Sequence, residues 1–202
     1  IARKPDIARL LRQGGYKTLT VASDAASHRL RKDISKGTLE KHLFSCAEQA
    51  KEHQYKVLKI YMMVGLPDET QEDLDELIRF ALEISKIHPI VFGIAPFVPK
   101  KNTPLDTAQF AGIKAIDKKL KYLQKGLRPS KGRAQIRSTS AKWAWVEAML
   151  AQGGEDSGLA VLEAVQAGGN FASWKRALNK LEPEQQSPWR RLFTLAGTST
   201  SI

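Results

Sequence analysis

Hydrophobic positions along the chain fall into two kinds of segment. Nearly continuous apolar runs such as Val57–Val64 are typical of strands buried on both faces of a parallel sheet. Longer segments repeat apolar residues every three or four positions, which is typical of amphipathic helices. The two kinds alternate, and this favours a parallel sheet with right-handed crossovers. The predicted strands cover 16–22, 57–64 and 90–97, and the predicted helices cover 5–13, 27–31, 38–53, 70–88 and 107–127.

The organisation of the chain changes after residue 127. Residues 127–137 are rich in Gly, Pro, Ser and basic side chains, which indicates a linker or an edge excursion. Three further helices are predicted at 141–152, 157–167 and 171–181. We therefore divide the chain into an α/β part (1–127), a small helical extension (128–182) and a flexible tail (183–202). Three strands are too few for a closed barrel, so we expect the N-terminal part of the sheet to lie outside this chain.

Composition narrows the classes of function. The 202 residues carry a formal net charge of +11, and lysines cluster along the last helix of the α/β part, at 114, 118, 119, 121 and 125. A basic face of this kind either binds nucleic acid or is simply solvated, and we favour the solvated interpretation because the charges form no single long run. No apolar run is long enough to predict a membrane span.

Cysteine and histidine usage argues against a metal site within the chain. Cys46 is the only cysteine, so neither a disulfide nor a cysteine-ligated cluster can form from this chain alone. It falls in a helical apolar pattern, which indicates a packed thiol and fits a reducing, cytoplasmic compartment. The four histidines show no metal-ligand spacing.

Three polar or glycine-containing motifs follow the predicted strands. They are Ser23–Gly37, Met62–Thr70 and Ile94–Leu105. Ligands of parallel α/β proteins bind at the carboxyl ends of the strands. Taken singly, each motif could be only a tight turn or a rigid proline loop, whereas the three together predict a ligand site.

The motifs resemble those of radical S-adenosylmethionine (SAM) enzymes, especially the cobalamin-binding subgroup of Fe–S oxidoreductases. Gly65–Thr70 is similar to the Gly-Leu-Pro-x-Glu-Thr sequence after the fifth barrel strand, and Pro96–Leu105 is similar to the proline-rich stretch after the next strand. Ser23–Gly37 is similar to the segment after the fourth strand. The resemblance covers residues 15–180. It implies the C-terminal part of a partial (β/α) TIM-like barrel, followed by a small α-helical extension.

The resemblance also implies residue roles. Asp24 takes the position of a side chain that contacts SAM, and Ser27 takes the position of a small polar residue. Lys36 takes the position of a basic residue that forms an ion pair with the methionine carboxylate of SAM. Ala26 and Ser35 depart from the family's Gly and Asn, and Asp24 is one methylene shorter than the family's Glu. The adenine and ribose side is implied to involve Tyr61, Met63, Val64, Gly65, Ala95 and Pro96.

The implied cofactors are SAM and a [4Fe–4S] cluster, with cobalamin left open. The family's Cys-x-x-x-Cys-x-x-Cys motif is absent from this sequence. We therefore expect the chain to form one wall of a radical SAM site, to depend on an N-terminal half of the same protein, and to be inactive alone. The alternatives are a basic module that binds RNA or another nucleic acid, and a degenerate, non-catalytic scaffold.

Overall fold

A computed structural model describes residue 4 and residues 6–181. Its four strands form one parallel sheet in the order β1–β2–β3–β4, so the α/β prediction is confirmed. The strands are β1 (Thr18–Asp24), β2 (Val57–Val64), β3 (Ile90–Pro96) and β4 (Ala134–Ser138). The helices are α1 (Asp6–Gln13), α2 (His28–Asp33), α3 (Glu40–Glu52), α4 (Gln71–Ile87), α5 (Ile113–Gly126), α6 (Ala141–Gln152), α7 (Ser157–Gln166) and α8 (Phe171–Asn179).

Strand β4 corrects the sequence-based count of three strands. Residues 134–137 of this strand fall in the segment interpreted as a linker or an edge excursion, and Ser138 follows that segment. The strand pairs with β3 from Ala134, opposite Ile90, to Ser138, opposite Ile94. The strand has five residues, of which only Ala134 and Ile136 are apolar. A strand this short at the edge of a sheet leaves a weak hydrophobic pattern, and the Gly and basic residues before it obscured that pattern further.

One face of the sheet carries the core. Leu58, Ile60 and Phe92 are fully buried on it, and α3 and α4 pack against that side. The Phe80 ring of α4 stands edge-on to Phe92, with 6.4 Å between the ring centroids, and edge-on to Phe44 of α3 at 5.5 Å. Burying an aliphatic or aromatic side chain of this size stabilises a fold by about 1.5–3 kcal/mol. On β1, β2 and β4 the adjacent positions, which point to the opposite face, are polar or at least partly exposed, whereas Val91 and Gly93 of β3 are buried.

The described chain forms two compact units. Among the described residues, the first unit comprises those up to Pro96 together with Lys114–Thr139, and the second comprises Phe97–Ile113 together with those from Ser140 onward. Strand β4, which follows the predicted division after residue 127, lies in the first unit, and the division itself stays a prediction.

The second unit contains the three predicted C-terminal helices. In it Trp145 packs edge-on against Phe171 at 5.9 Å between centroids, and the Gln152 amide donates to the Asp106 carbonyl. The predicted tail at 183–202 lies outside the described residues. Among residues 4 and 6–181, no helix is both long and apolar enough to cross a membrane.

His88, at the end of α4, makes the stability of the fold depend on pH. Burial lowers its pKa below the ordinary 6.5, and repulsion from Arg133 and Lys51 lowers it further, against an opposing backbone hydrogen bond at Tyr55. Within the described residues its buried Nε2 atom has no hydrogen-bond partner. The unfolded chain therefore binds the proton more readily than the folded chain does.

We predict that the free energy of unfolding falls as pH drops from 6.5 through the lowered pKa of His88, because protonation then favours the unfolded chain. His88→Gln should flatten this part of the pH profile in urea unfolding. Substituting the exposed His28 by Gln should leave the slope unchanged. An unaltered slope in the His88 variant would contradict the assignment.

Candidate functional site

The carboxyl end of β1 is irregular, and Asp24 lies at the irregularity. The register with β2 shifts between Ala22, opposite Tyr61, and Asp24, opposite Met62. Asp24 adopts a left-handed backbone conformation with φ of 62°, which Asp tolerates better than most residues do. A bulge of this kind changes the direction of a side chain at the end of a strand. The Asp24 carboxylate is consequently one-third exposed.

Lys36 reaches Asp24 through a tight turn after α2. The amide of Lys36 donates to the Arg31 carbonyl at 2.7 Å, and the amide of Ser35 donates to the Lys32 carbonyl at 2.9 Å. This pattern is a Schellman motif, with Ser35 in the left-handed position at φ of 56°. Lys36 Nζ then forms an ion pair with Asp24 Oδ2. The structure thus brings together two residues for which the family resemblance implied contacts with SAM.

The Gly-Leu-Pro turn is held by Glu69. Its carboxylate is almost fully buried and accepts hydrogen bonds from the amides of Gly65 at 2.6 Å and Leu66 at 3.2 Å. Gly65 has a φ of 80°, a conformation that glycine adopts without strain. Lys119 of α5 supplies the countercharge at 3.1 Å. This buried contact shows Glu69 fixing the turn after β2, as expected for a carboxylate at the entry to a helix.

Asp73 joins the first motif to the second. It is buried in the first turn of α4, where it accepts from the Thr70 amide at 2.8 Å. Its two oxygens also accept from Ser27 Oγ and from Arg29 Nη2, both at 2.5 Å. Burial alone would raise the pKa of Asp73, but these hydrogen bonds outweigh it and hold the pKa below its ordinary 3.8. The carboxylate is therefore ionised at neutral pH, and it links the start of α2 to the start of α4.

Three further contacts strengthen this junction. Ser27 is completely buried and caps α2, since its hydroxyl accepts from the Leu30 amide while donating to Asp73. The Arg29 guanidinium also donates to the Asp68 carbonyl at 2.8 Å, and the His28 amide donates to Glu76 at 2.9 Å. The loop that carries Asp24 is consequently fixed to the turn after β2 at several points.

The remaining residues predicted on the adenine and ribose side divide between the two faces of the sheet. Met63 and Ala95 are paired neighbours on the face opposite the core, and both are partly accessible. Tyr61 lies on the same face and is 46% exposed. Val64 and Pro96 are paired on the core face and are buried. Like Ser27, these two offer no accessible side chain, and the direct contact of any of these residues with SAM stays a prediction.

The residues present fit the two implied cofactors unequally. SAM carries one ammonium, one carboxylate and a positively charged sulfonium, and the paired Asp24 and Lys36 offer charges complementary to the ammonium and the carboxylate. The [4Fe–4S] cluster needs cysteine ligands that this chain does not offer, since its only cysteine, Cys46, is buried in α3. No group of three His, Cys, Asp or Glu side chains in the described part of the chain could hold a metal ion.

The sequence did not predict most of the hydrogen bonds and ion pairs that fix the site residues in place. The local capping of α4 by Thr70 and Asp73 could be predicted from their spacing, but the hydrogen bonds to Ser27 and Arg29 span 46 and 44 positions. The pairing of Glu69 with Lys119 spans 50 positions. Buried polar groups of this kind follow from the way the elements pack, and no local pattern marks them.

Part of the chain is similar to known proteins. Residues 2–81 match the family model of the radical SAM superfamily. An uncharacterized protein of Methanocaldococcus jannaschii is 36% identical over 124 residues, which make up 61% of this chain and 27% of the archaeal protein. The matched region is thus little more than a quarter of that relative's length.

We predict that Asp73→Asn destabilises the protein by about 2–4 kcal/mol at pH 7, because it removes a buried charge from the hydrogen-bond donors of Ser27, Arg29 and Thr70. The difference from the unchanged protein should shrink as pH falls below 3.8 through the lowered pKa of Asp73, where protonation removes the same charge. Urea unfolding between pH 2 and 7 measures both effects.

Glu83→Gln is the matched control on the same helix. Glu83 forms an exposed ion pair with Arg79, so this change should cost no more than about 0.5 kcal/mol. Equal losses in the two variants would show that the junction at Asp73 adds nothing beyond an ordinary surface pair.

Proposed function

We propose that this chain is the C-terminal section of a radical SAM enzyme and that its strand ends bind SAM. The observation that supports the proposal most directly is the ion pair between Asp24 and Lys36. When the SAM head group enters, its ammonium faces the Asp24 carboxylate and its carboxylate faces Lys36. Asp24 then exchanges Lys36 for the SAM ammonium, and Lys36 exchanges Asp24 for the SAM carboxylate. The ion pair can therefore open without leaving either charge unpaired.

In this proposal the side chains on the accessible face orient the rest of SAM. Met63 and Ala95 offer an apolar surface at the ends of β2 and β3, on which the adenine ring packs. Glu69 keeps the turn at Gly65 in one conformation. The chemistry that the family's bound cofactors supply is the one-electron cleavage of SAM. The part of this chain is to hold SAM in one orientation and to exclude water beneath it.

The cluster ligands belong, in this proposal, to an N-terminal half of the same protein. The parent is then a cytoplasmic Fe–S oxidoreductase, with SAM and a [4Fe–4S] cluster as cofactors and with cobalamin left open. A degenerate scaffold is the competing hypothesis. The two differ in one observable, which is whether the segment encoded before this chain contains Cys-x-x-x-Cys-x-x-Cys.

Lys36→Ala should weaken the binding of SAM to this chain by about tenfold, because it removes one charge-assisted contact from a partly exposed site. The affinity for 5′-methylthioadenosine, which lacks the amino acid head group, should not change. Titrations followed by NMR measure both ligands. Lys36→Arg should retain SAM binding, since a guanidinium also pairs with a carboxylate.

Lys32→Ala is the control for charge, because Lys32 is an exposed residue of α2, the helix that precedes Lys36. SAM affinity should be the same in this variant as in the unchanged protein. The proposal fails if the chain shows no saturable binding of SAM at millimolar concentrations. It also fails if Lys36→Ala leaves the affinity for SAM intact.

A groove beside α5 supports a second candidate function, the binding of single-stranded RNA. The groove has a volume of about 520 Å³ and lies between the start of α4 and α5. Three exposed lysines, Lys118, Lys121 and Lys125, line it together with Tyr122. In the described residues these lysines form no ion pair. Phosphates attracted by such lysines, with a base stacked on the tyrosine, would give salt-sensitive binding.

Replacing Lys118, Lys121 and Lys125 by Glu should abolish the binding of a labelled single-stranded RNA at 50 mM salt, as measured by fluorescence anisotropy. Lys119 is left intact, because its contact with Glu69 supports the turn after β2. The control carries the same charge change at the exposed Lys41, Lys51 and Lys56. Equal losses in both variants would indicate a response to net charge alone, and the groove would then have no special role.

A further inference from the structure

In the part of the chain that the structure describes, the paired strand positions on the face opposite the core include two cations and no carboxylate. Along β1 to β4 its positions, paired across the strands, alternate with those of the core. They are Thr18, Thr20 and Ala22; Val57, Lys59, Tyr61 and Met63; Val91, Gly93 and Ala95; and Gln135 and Arg137. Lys59 and Arg137 are thus the charged members of this face, and neither has an ion-pair partner in the described part of the chain.

Two of these side chains form a compact unit. Lys59 Nζ donates to the Tyr61 hydroxyl at 2.7 Å and lies 4.4 Å from the centroid of the same ring. The ammonium is thereby fixed against the aromatic ring. Its only partner among the described residues is neutral, so it retains the capacity to bind an anion.

Gly93 makes room for this arrangement. A Cβ atom built on Gly93 would lie 2.8 Å from Cδ1 of the Tyr61 ring and 3.2 Å from Cε of Lys59. The ring therefore lies against the backbone of β3, in a space that any larger residue would fill. Arg137 is the next position in the same row, opposite Gly93 on β4. The row thus has an ammonium and an aromatic ring on one side of the glycine and a guanidinium on the other.

We propose that this row, formed by Tyr61, Gly93 and Arg137, binds the anionic group of the enzyme's substrate, a carboxylate or a phosphate, together with the Lys59 ammonium that lies against the Tyr61 ring. The inference rests on the proposed function, since that function makes this face the inner wall of a barrel. The row lies two residues below Met63 along β2, which is about 7 Å. A substrate held there by its anionic group has the remainder of its structure directed toward the strand ends, where the SAM site is proposed.

Charge complementarity selects this occupant. A neutral or cationic substrate offers no counterion to Lys59 and Arg137, neither of which has an ion-pair partner among the described residues. A carboxylate or phosphate satisfies both cations and accepts several hydrogen bonds from them. The half-exposed Tyr61 ring adds an apolar surface beside the anion.

The test is an NMR titration of this chain with three probes that share one ring. Phenyl phosphate and benzoate carry the two candidate anions, and benzamide is neutral. We expect one or both anions to shift the amide resonances of Gly93 and Arg137, and benzamide to leave them unchanged. The anion that binds with the higher affinity identifies the substrate's group as a phosphate or a carboxylate.

Lys59→Gln and Arg137→Gln should each weaken anion binding by about tenfold. Gly93→Ala should weaken it too, because the ring must move. Lys56→Gln is the control, since Lys56 is an exposed lysine just before β2. The amide spectrum of each variant also reports whether the protein is folded.

Three results would overturn the inference: no saturable binding of either anion, equal binding of benzamide, or affinities that Lys59→Gln and Arg137→Gln leave unchanged. A SAM titration of the same samples keeps the two proposals separate. If SAM binds through Lys36 while the anions do not bind, the proposed function stands and the anion site fails. If neither ligand binds, both proposals fail.

Discussion

The buried carboxylate of Asp73 is the interaction on which the site depends. It accepts hydrogen bonds from Ser27, Arg29 and the Thr70 amide, and so it joins two loops that come from different strands. A charge buried with this many donors is stable only when all of them are in place. Because the donors belong to both loops, neither loop can move without breaking contacts that the other one needs. The position of Asp24 relative to Gly65 is fixed in this way.

Backbone conformation supplies the second constraint. Asp24, Ser35 and Gly65 all adopt left-handed conformations, and each lies where the chain leaves a regular element. Such conformations are costly for residues other than glycine, and they persist where surrounding contacts enforce them. Here the enforcing contacts are the ion pair of Asp24 with Lys36 and the hydrogen bonds that close the turn after α2. A pair of opposite charges is thereby presented at the strand ends, in the proposed position of the SAM head group.

The sequence predicted the parts that periodicity controls. The predicted strand at 57–64 matches β2, and the helix expected after Thr70 matches α4. Long apolar patterns predict such elements because the pattern depends on the element itself and not on which other elements pack against it. Strand β4 was missed, since two apolar residues in five carry too little pattern to stand out from a basic segment. Asp24 and Lys36 were nominated separately, but their ion pair and the bonds from Asp73 to Ser27 depend on how distant segments pack.

Hydrogen–deuterium exchange of this chain, with and without saturating SAM, tests most directly whether the two loops form one binding site. The account predicts that peptides covering 23–37 and 62–70 gain protection together and with the same dependence on SAM concentration. Slower exchange in only one of these segments would contradict it, because joined loops cannot respond separately. Protection confined to the α5 groove, or no protection at all, would contradict the assignment of the strand ends to SAM.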